Sequence, residues 1–356
     1  MLLSELTAAA RRLALVGLAK NTGKTVALTA ILTELADAGR AVGVTSVGRD
    51  GEQNDVIDFR IEKPLIELVA GSLVATTDSL LRASGVPHEL LAKTAIRTPL
   101  GEVLIARLKG GGTVEIAGPS AALDARHIAD EMLALGAEQV LIDGAIDRRA
   151  ASSPDVADGL VMSTGAILSE DIEQVVERTR DAVALVKLPS VDSDSRLREL
   201  ARAGTSVLVD GDLANHHELP PRFALTAEEH QIKNQLDQHP QARHLIVAGA
   251  LPEPFLDSLT RAARSQGRTL TVIAPDPTKV FLHERSVEHY RRAGIELRVL
   301  KPIELLALTV NPLAPQSHSF DSTRLRALLA GELDGLPIFD VRHPEYRGSQ
   351  PAAPRG

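Results

Sequence analysis

The chain has 356 residues, no cysteine, a formal charge of −8 and 2% aromatic residues. That composition excludes disulfides and cysteine-held metals, gives no support to an oxidising compartment, and argues against a nucleic-acid surface, which needs basic clusters and stacking aromatics. No apolar run approaches the ~20 residues that span a bilayer, so a soluble, cytoplasmic protein of two domains is expected, with cores of Leu, Val, Ile and Ala.

The opening MLLSELTAAARRLALVGL has the apolar character of a signal peptide. Its arginines, Arg11 and Arg12, follow the first apolar residues, and the stretch runs straight into a glycine loop, so a helix and a first strand are expected instead. Residues 13–16 (LALV) read as a short buried strand. From Thr25 the apolar positions Leu28, Ile31, Leu32 and Leu35 recur at helical spacing and stop at Gly39.

Between strand and helix lies GLAKNTGKT, residues 17–25. A phosphate-binding loop reads G-x-x-x-x-G-K-[ST]: glycines let backbone N–H groups turn toward phosphate, the lysine neutralises the β/γ oxygens, and the hydroxyl holds Mg²⁺. Gly23, Lys24 and Thr25 supply the second half, while Gly17 stands one residue early, leaving five residues before Gly23. A helix starting at the lysine would direct its N-terminal amides at a bound phosphate. Gly17, Lys20, Asn21, Thr22, Gly23, Lys24 and Thr25 are therefore the candidate nucleotide-binding residues, with Thr25 also a candidate Mg²⁺ ligand.

Further along, residues 41–52 (AVGVTSVGRDGE) read as a second strand that breaks at Gly48 and leaves Asp50 at its carboxyl end, where open α/β sheets keep their chemistry. Asp50 has two readings, a catalytic carboxylate near the metal or attacking group and a turn aspartate before Gly51. Residues 59–117 break the strand–helix rhythm and are expected to form a β-rich insertion, with TPLGE at 98–102 as a turn. Ser120 is expected to cap a helix carrying Ile128, Met132 and Leu135 on one face and ending at Gly136.

The run Val140, Leu141, Ile142 then ends in Asp143. A buried strand presenting one carboxylate at its exposed end is what a Walker B element needs for Mg²⁺, so Asp143 joins Thr25 as a metal residue. Asp147, four residues on, is a catalytic candidate for positioning water. A strand at 159–163, a turn at Thr164-Gly165, a helix capped by Ser169, and a strand in ALVKLP near Pro189 complete a first domain, residues 1–190.

Residues 191–346 are expected to form a second α/β domain from the strands TSVLVDGD, RHLIVAGAL, RTLTVIAPD, IELRVL and LLALTVNP, with helices near 254–264 and 286–294. His216, His217 and Glu218 read as a polar loop rather than a metal site, and residues 347–356 as a disordered tail. The expected fold class is thus α/β: a P-loop NTPase domain with a mostly parallel sheet and a β-rich insertion, followed by a second α/β domain.

A glycine–lysine loop with five intervening residues resembles that of dethiobiotin synthetase and the cobyrinic acid amidation enzymes. A longer series, GLAKNTGKT, TSVGRDGE, TPLGEV, AGPS, VLIDGAIDRRAASSP, ADGLVMSTGA, LTVNP and IFDV, resembles the P-loop subunit of the lysine 5,6-aminomutase reactivase family. That resemblance implies a protein that uses nucleotide, with a MutS-like ATPase partner, to restore an adenosylcobalamin-dependent aminomutase whose cobalamin is damaged. Lys24, Thr25 and Asp143 carry over as nucleotide and metal residues.

Two function classes stay open. One is an ATP-driven switch with Mg²⁺ as its metal, VGRDGE and DGAIDRR being its candidate moving segments. The other is a synthetase that activates a small carboxylate with ATP. No Asn-Lys-x-Asp guanine motif appears, which favours ATP over GTP. Lys20 is reminiscent of the extra lysine of dimerising P-loop ATPases at a spacing of four rather than five, which leaves a homodimer as a further open alternative.

Overall fold

Continuous apolar strands separated by one-sided helices call for a sheet covered on both faces, and the computed structural model has that arrangement in two α/β units. It describes residues 2–47, 66–145, 149–191, 194–315 and 318–346. One unit comprises Met1–Arg180 with Glu304–Gly356, the other Asp181–Ile303.

In chain order the first unit begins with α1 (Leu3–Leu6), β1 (Arg12–Gly17), α2 (Lys24–Asp37) and β2 (Val42–Ser46). Next come β3 (Ile66–Leu68), β4 (Leu73–Thr77), α3 (Asp78–Ala83), β5 (His88–Thr98), β6 (Gly101–Leu108) and β7 (Gly112–Val114). Then follow α4 (Ala122–Ala134), β8 (Gln139–Ala145), β9 (Gly159–Gly165) and α5 (Ile172–Val186), whose residues from Asp181 onward belong to the second unit. The second unit carries α6 (Ser195–Arg202), β10 (Val207–Asp210), β11 (His216–Glu218), α7 (Phe223–Thr226), α8 (Glu229–Gln238), β12 (Ala242–Ile246) and β13 (Leu251–Pro252). It continues through α9 (Glu253–Ser265), β14 (Leu270–Ala274), β15 (Val280–Phe281), α10 (Val287–Arg292) and β16 (Ile295–Val299). The chain then returns to the first unit as β17 (Glu304–Asn311), α11 (Ser322–Glu332) and β18 (Ile338–Phe339).

Among the described residues the first unit forms a nine-stranded sheet in the order β18-β17-β9-β1-β8-β2-β4-β6-β5. It is parallel from β18 to β4, and β6 runs antiparallel to both β4 and β5. The side chains of β8 alternate between two cores, Leu141 on the face of Leu13 and Leu15 and Val140 and Ile142 on the other. Leu13 and Leu15 pack with Leu28, Ile31 and Leu35 of α2, while on the other face Val140 and Ile142 of β8 pack with Ile128 and Met132 of α4. The expected helical positions of α2 are all at most 2% exposed, and Gly39 follows the helix with φ +69°. A buried carboxylate holds the far end of α2: Glu34 accepts from the Ser4 amide at 2.7 Å and from the Tyr346 hydroxyl.

The structure differs from the sequence reading in several places. LLALTVNP, expected in the second domain, is β17, hydrogen-bonded along β9 from Glu304↔Gly159 to Asn311↔Gly165. The second unit therefore spans Asp181–Ile303 rather than 191–346. ALVKLP is not a strand, because α5 continues to Val186. The expected turn at Thr164-Gly165 is strand, and the cap residue of α4 is Ala121 rather than Ser120. The β-rich stretch, by contrast, is as expected: β4, β6 and β5 extend the main sheet, with residues 98–101 turning between β5 and β6. The tail 347–356 lies outside the described residues.

Unit two has the sheet order β11-β10-β12-β14-β16, with β12, β14 and β16 parallel. Leu245, Val272 and Leu297 pack on one face with Leu256 and Leu259 of α9; Val209, Ile246 and Ile273 pack on the other with Leu197 and Leu200 of α6. His216–Glu218, read as a loop, is the edge strand β11, and the His217 ring stacks on His239 with centroids 3.8 Å apart. Among the described residues no helix is long and apolar enough to cross a membrane.

Candidate functional site

In the first sheet β1 lies between β8 and β9. The chain leaves β1 through α2 for β2 on the β8 side, and later passes from β8 across to β9 on the other side. Such a reversal opens a crevice at the carboxyl ends of the strands, the usual ligand position in open α/β sheets. Residues 17–25 occupy that position, immediately after β1.

The loop is shaped by a close approach at its base and left-handed backbone in its second half. A side chain at Gly17 would collide with the hydroxyl of Thr22. Gly17 is thus required where the chain closes back on itself, and the early glycine of the sequence marks the loop's neck. Thr22, 1% exposed, donates to the Ala19 carbonyl at 3.0 Å, and the Leu18 amide donates to Ser163 O at 2.9 Å, keeping the start of the loop attached to β9. Asn21 has φ +65° and Gly23 φ +89°. Gly23 is the residue before α2 and offers no side-chain cap, so no side chain there competes for the first amides of the helix.

Lys24 and Thr25 are the first two residues of α2. The Lys24 ammonium reaches across to β8, where it meets Asp143 Oδ1 at 2.5 Å and donates to the Gly144 carbonyl at 2.9 Å. Parallel pairing places Asp143 there, with Leu15 opposite Asp143 and Gly17 opposite Ala145. Both side chains are mostly covered, 21% exposed for Lys24 and 17% for Asp143. Such a pair interacts more strongly than one on the open surface, because less water screens it.

The structure thus brings together Gly17, Thr22, Gly23, Lys24, Thr25 and Asp143, and leaves Lys20 and Asn21 exposed on the loop. Asp50 and Asp147 lie outside the described residues, as do most of VGRDGE and residues 146–148 of DGAIDRR.

Sequence reasoning missed Asn311. It is the last residue of β17; its Nδ2 donates to the Asn21 carbonyl at 2.8 Å, and its Oδ1 accepts from the Leu313 amide at 3.2 Å. Its Cβ lies 3.1 Å from where a side chain at Gly23 would begin. Asn311 therefore holds the left-handed part of the loop from a strand far away in sequence. The Asn-Pro pair ending an apolar run was the available signal. Beside it, Ser163 and Thr309 join their hydroxyls at 2.7 Å. On the other side of the crevice, Ser46 at the end of β2 accepts from the Gly118 amide at 3.0 Å and fastens the AGPS segment there.

No family model, curated protein or solved structure matches the chain. The arrangement at the end of β1 stands on its own chemistry. It offers a loop of backbone amides at a helix N-terminus, one ammonium, one hydroxyl and one carboxylate.

Proposed function

We propose that the chain is a magnesium-dependent nucleotide-binding protein with a P-loop at residues 17–25, and that it serves as an ATP-driven component of a reactivase for an adenosylcobalamin-dependent aminomutase. The observation that carries the nucleotide reading is the meeting of Lys24, at the first turn of α2, with Asp143, at the carboxyl end of β8. A lysine there can reach phosphate oxygens, and the carboxylate and the Thr25 hydroxyl can hold the metal.

The donor set suits Mg²⁺ bound together with phosphates. Among the described residues no group of three or more His, Asp or Glu is placed to hold a metal without a ligand. Mg²⁺ does not require one, since it commonly takes one or two carboxylates and completes its shell with phosphate oxygens and water. When bound, the ion would neutralise charge on the phosphates. The chain's own residues would bind and orient: Lys24 carries the positive charge, the first amides of α2 would face the anion, and Asn311 fixes the loop backbone at Asn21. The reactivase role is supported by the motif series quoted above, which includes the LTVNP of β17.

Nucleotide with Mg²⁺ at one hundred times its dissociation constant is expected to stabilise the wild-type fold by ~2.7 kcal/mol, read as a rise in melting temperature. Lys24→Ala is expected to remove that rise. An equal rise in both proteins would refute the site. For the role, a MutS-like ATPase partner, inactivated mutase, ATP, Mg²⁺ and fresh adenosylcobalamin are expected to restore mutase activity only when this chain is added, and not with Lys24→Ala. Fast ATP consumption by the chain alone, dependent on a small carboxylic acid, would replace the reactivase with a synthetase.

A further inference from the structure

At the edge of the second unit's sheet two imidazoles lie face to face. We infer that the stacked rings of His217 and His239 are a pH-sensitive clasp, which holds the edge strand β11 in place at neutral pH and releases it, uncovering β10, in mild acid. This device lies wholly within the second unit and is independent of residues 17–25.

Among the described residues β11 pairs only with β10, over three residues, with His217 opposite Leu208. So short a pairing holds a strand weakly. The His217 ring adds to it by lying on the ring of His239, with centroids 3.8 Å apart and planes 18° from parallel. His239 follows the last residue of α8, so the stack ties the strand to a helix end. The turn between β10 and β11 works against the closed state: Leu213 has φ +62°, a left-handed value that a non-glycine residue disfavours.

Charge decides when the clasp opens. Asp210, whose Oδ1 is 3.7 Å from His217 Nε2, can compensate one imidazolium. A second has no counter-charge. By strand alternation His216 and Glu218 stand on the opposite face of β11, while Asp212 is engaged with the Ala214 amide and Asp237 with the Gln266 side chain. The remaining charges nearby are cationic: Arg268 donates to the His239 carbonyl at 3.1 Å and Arg243 to the Pro240 carbonyl at 3.0 Å. Burial and the neighbouring His217 ring lower the His239 pKa, and Asp210 opposes them without overcoming them. With the closed-state value lowered, the open hairpin takes up the proton first as the pH falls through the ordinary ~6.5. The closed state is therefore favoured above that pH and loses stability below it. Release leaves β10 as the edge of the sheet, with Val207, Leu208 and Val209, each at most 2% exposed in the closed state, on a strand open to a new partner.

Amide hydrogen exchange of the full chain, corrected for the intrinsic effect of pH, reads the clasp at about pH 7.5 and about pH 5.5, on either side of the ordinary histidine value. Exchange at residues 207–219 is expected to be at least about fivefold faster in acid, while β12, β14 and β16 keep their protection. His239→Phe keeps a flat ring on His217 but cannot take up a proton, and is expected to leave 207–219 equally protected at both pH values. His217→Phe serves as a second variant should the first fold poorly. Equal exchange of wild type at the two pH values overturns the inference. So does an acid response that persists unchanged in the phenylalanine variant, or one that spreads through β12, β14 and β16 as general acid unfolding.

Discussion

Asp143 in the first unit and Asp210 in the second both end apolar strands, and in sequence they carry the same signal. Their surroundings separate them. Asp210 is satisfied within its own turn: Asn215 Nδ2 donates to Oδ2 at 3.2 Å, the Leu213 amide donates to its carbonyl at 3.0 Å, and His217 of the adjacent strand stands 3.7 Å from Oδ1. Asp276, two residues past β14, is likewise served by the amide of Thr278 at 2.8 Å and by its hydroxyl. Asp143 instead faces a lysine delivered by a different strand–helix unit. A carboxylate whose partners come from its own turn shapes that turn. One whose partner comes from a distant loop ties that loop to the end of the parallel sheet.

The comparison is sharpest where a carboxylate of the second unit is most deeply committed. Glu253, 6% exposed, collects the backbone amides of His283, Glu284 and Arg285, the last at 2.9 Å. Glu253→Ala leaves those amides without their acceptor and is expected to cost about 3 kcal/mol in urea unfolding, with the nucleotide-induced melting shift unchanged. Loss of that shift would refute the proposed placement of nucleotide in the first unit alone. Burial raises the Glu253 pKa, but the three amides outweigh it and leave the group below its ordinary value. A depressed folded value means that the contribution is present above the unfolded value of ~4.3 and is lost as the pH falls through the folded one. Wild type should therefore lose stability in acid more steeply than Glu253→Ala.

Asp276→Ala is expected to cost about 2 kcal/mol, since Thr278 loses the acceptor for two hydrogen bonds at a residue only 3% exposed. Nucleotide binding is again expected to be unchanged. The smallest effect falls on the site itself. Asn311→Ala removes one hydrogen bond from the loop, worth ~1 kcal/mol net, and should weaken nucleotide binding about fivefold with little change in melting temperature. A large loss of stability with unaltered affinity would make Asn311 a strand-end residue and remove it from the site.

How much of this was legible beforehand varied with the range of the interaction. The loop, α2 and β8 were readable because periodicity, a glycine stop and a strand-ending carboxylate are local features. β5, with the mixed pattern HELLAKTAIRT, was not read as a strand because an edge strand buries few side chains; only Thr94 and Thr98 along it are buried. ALVKLP was misread as a strand because an apolar run near the end of a helix has no periodicity long enough to separate the two.

The sequence by itself determined the α/β class, the core face of α2, and the chemistry clustered in Gly23, Lys24, Thr25 and Asp143. Which strands are neighbours was decided only by the tertiary structure. A buried apolar strand such as β17 is compatible with either sheet, and its own residues do not name its partner. Pairing with β9 over Glu304↔Gly159 to Asn311↔Gly165 is what carries it back to the first unit and delivers Asn311 to the loop. The same reason covers the Lys24–Asp143 contact: each residue type was evident alone, but their separation of 2.5 Å follows from the register between β1 and β8, a long-range choice made by packing.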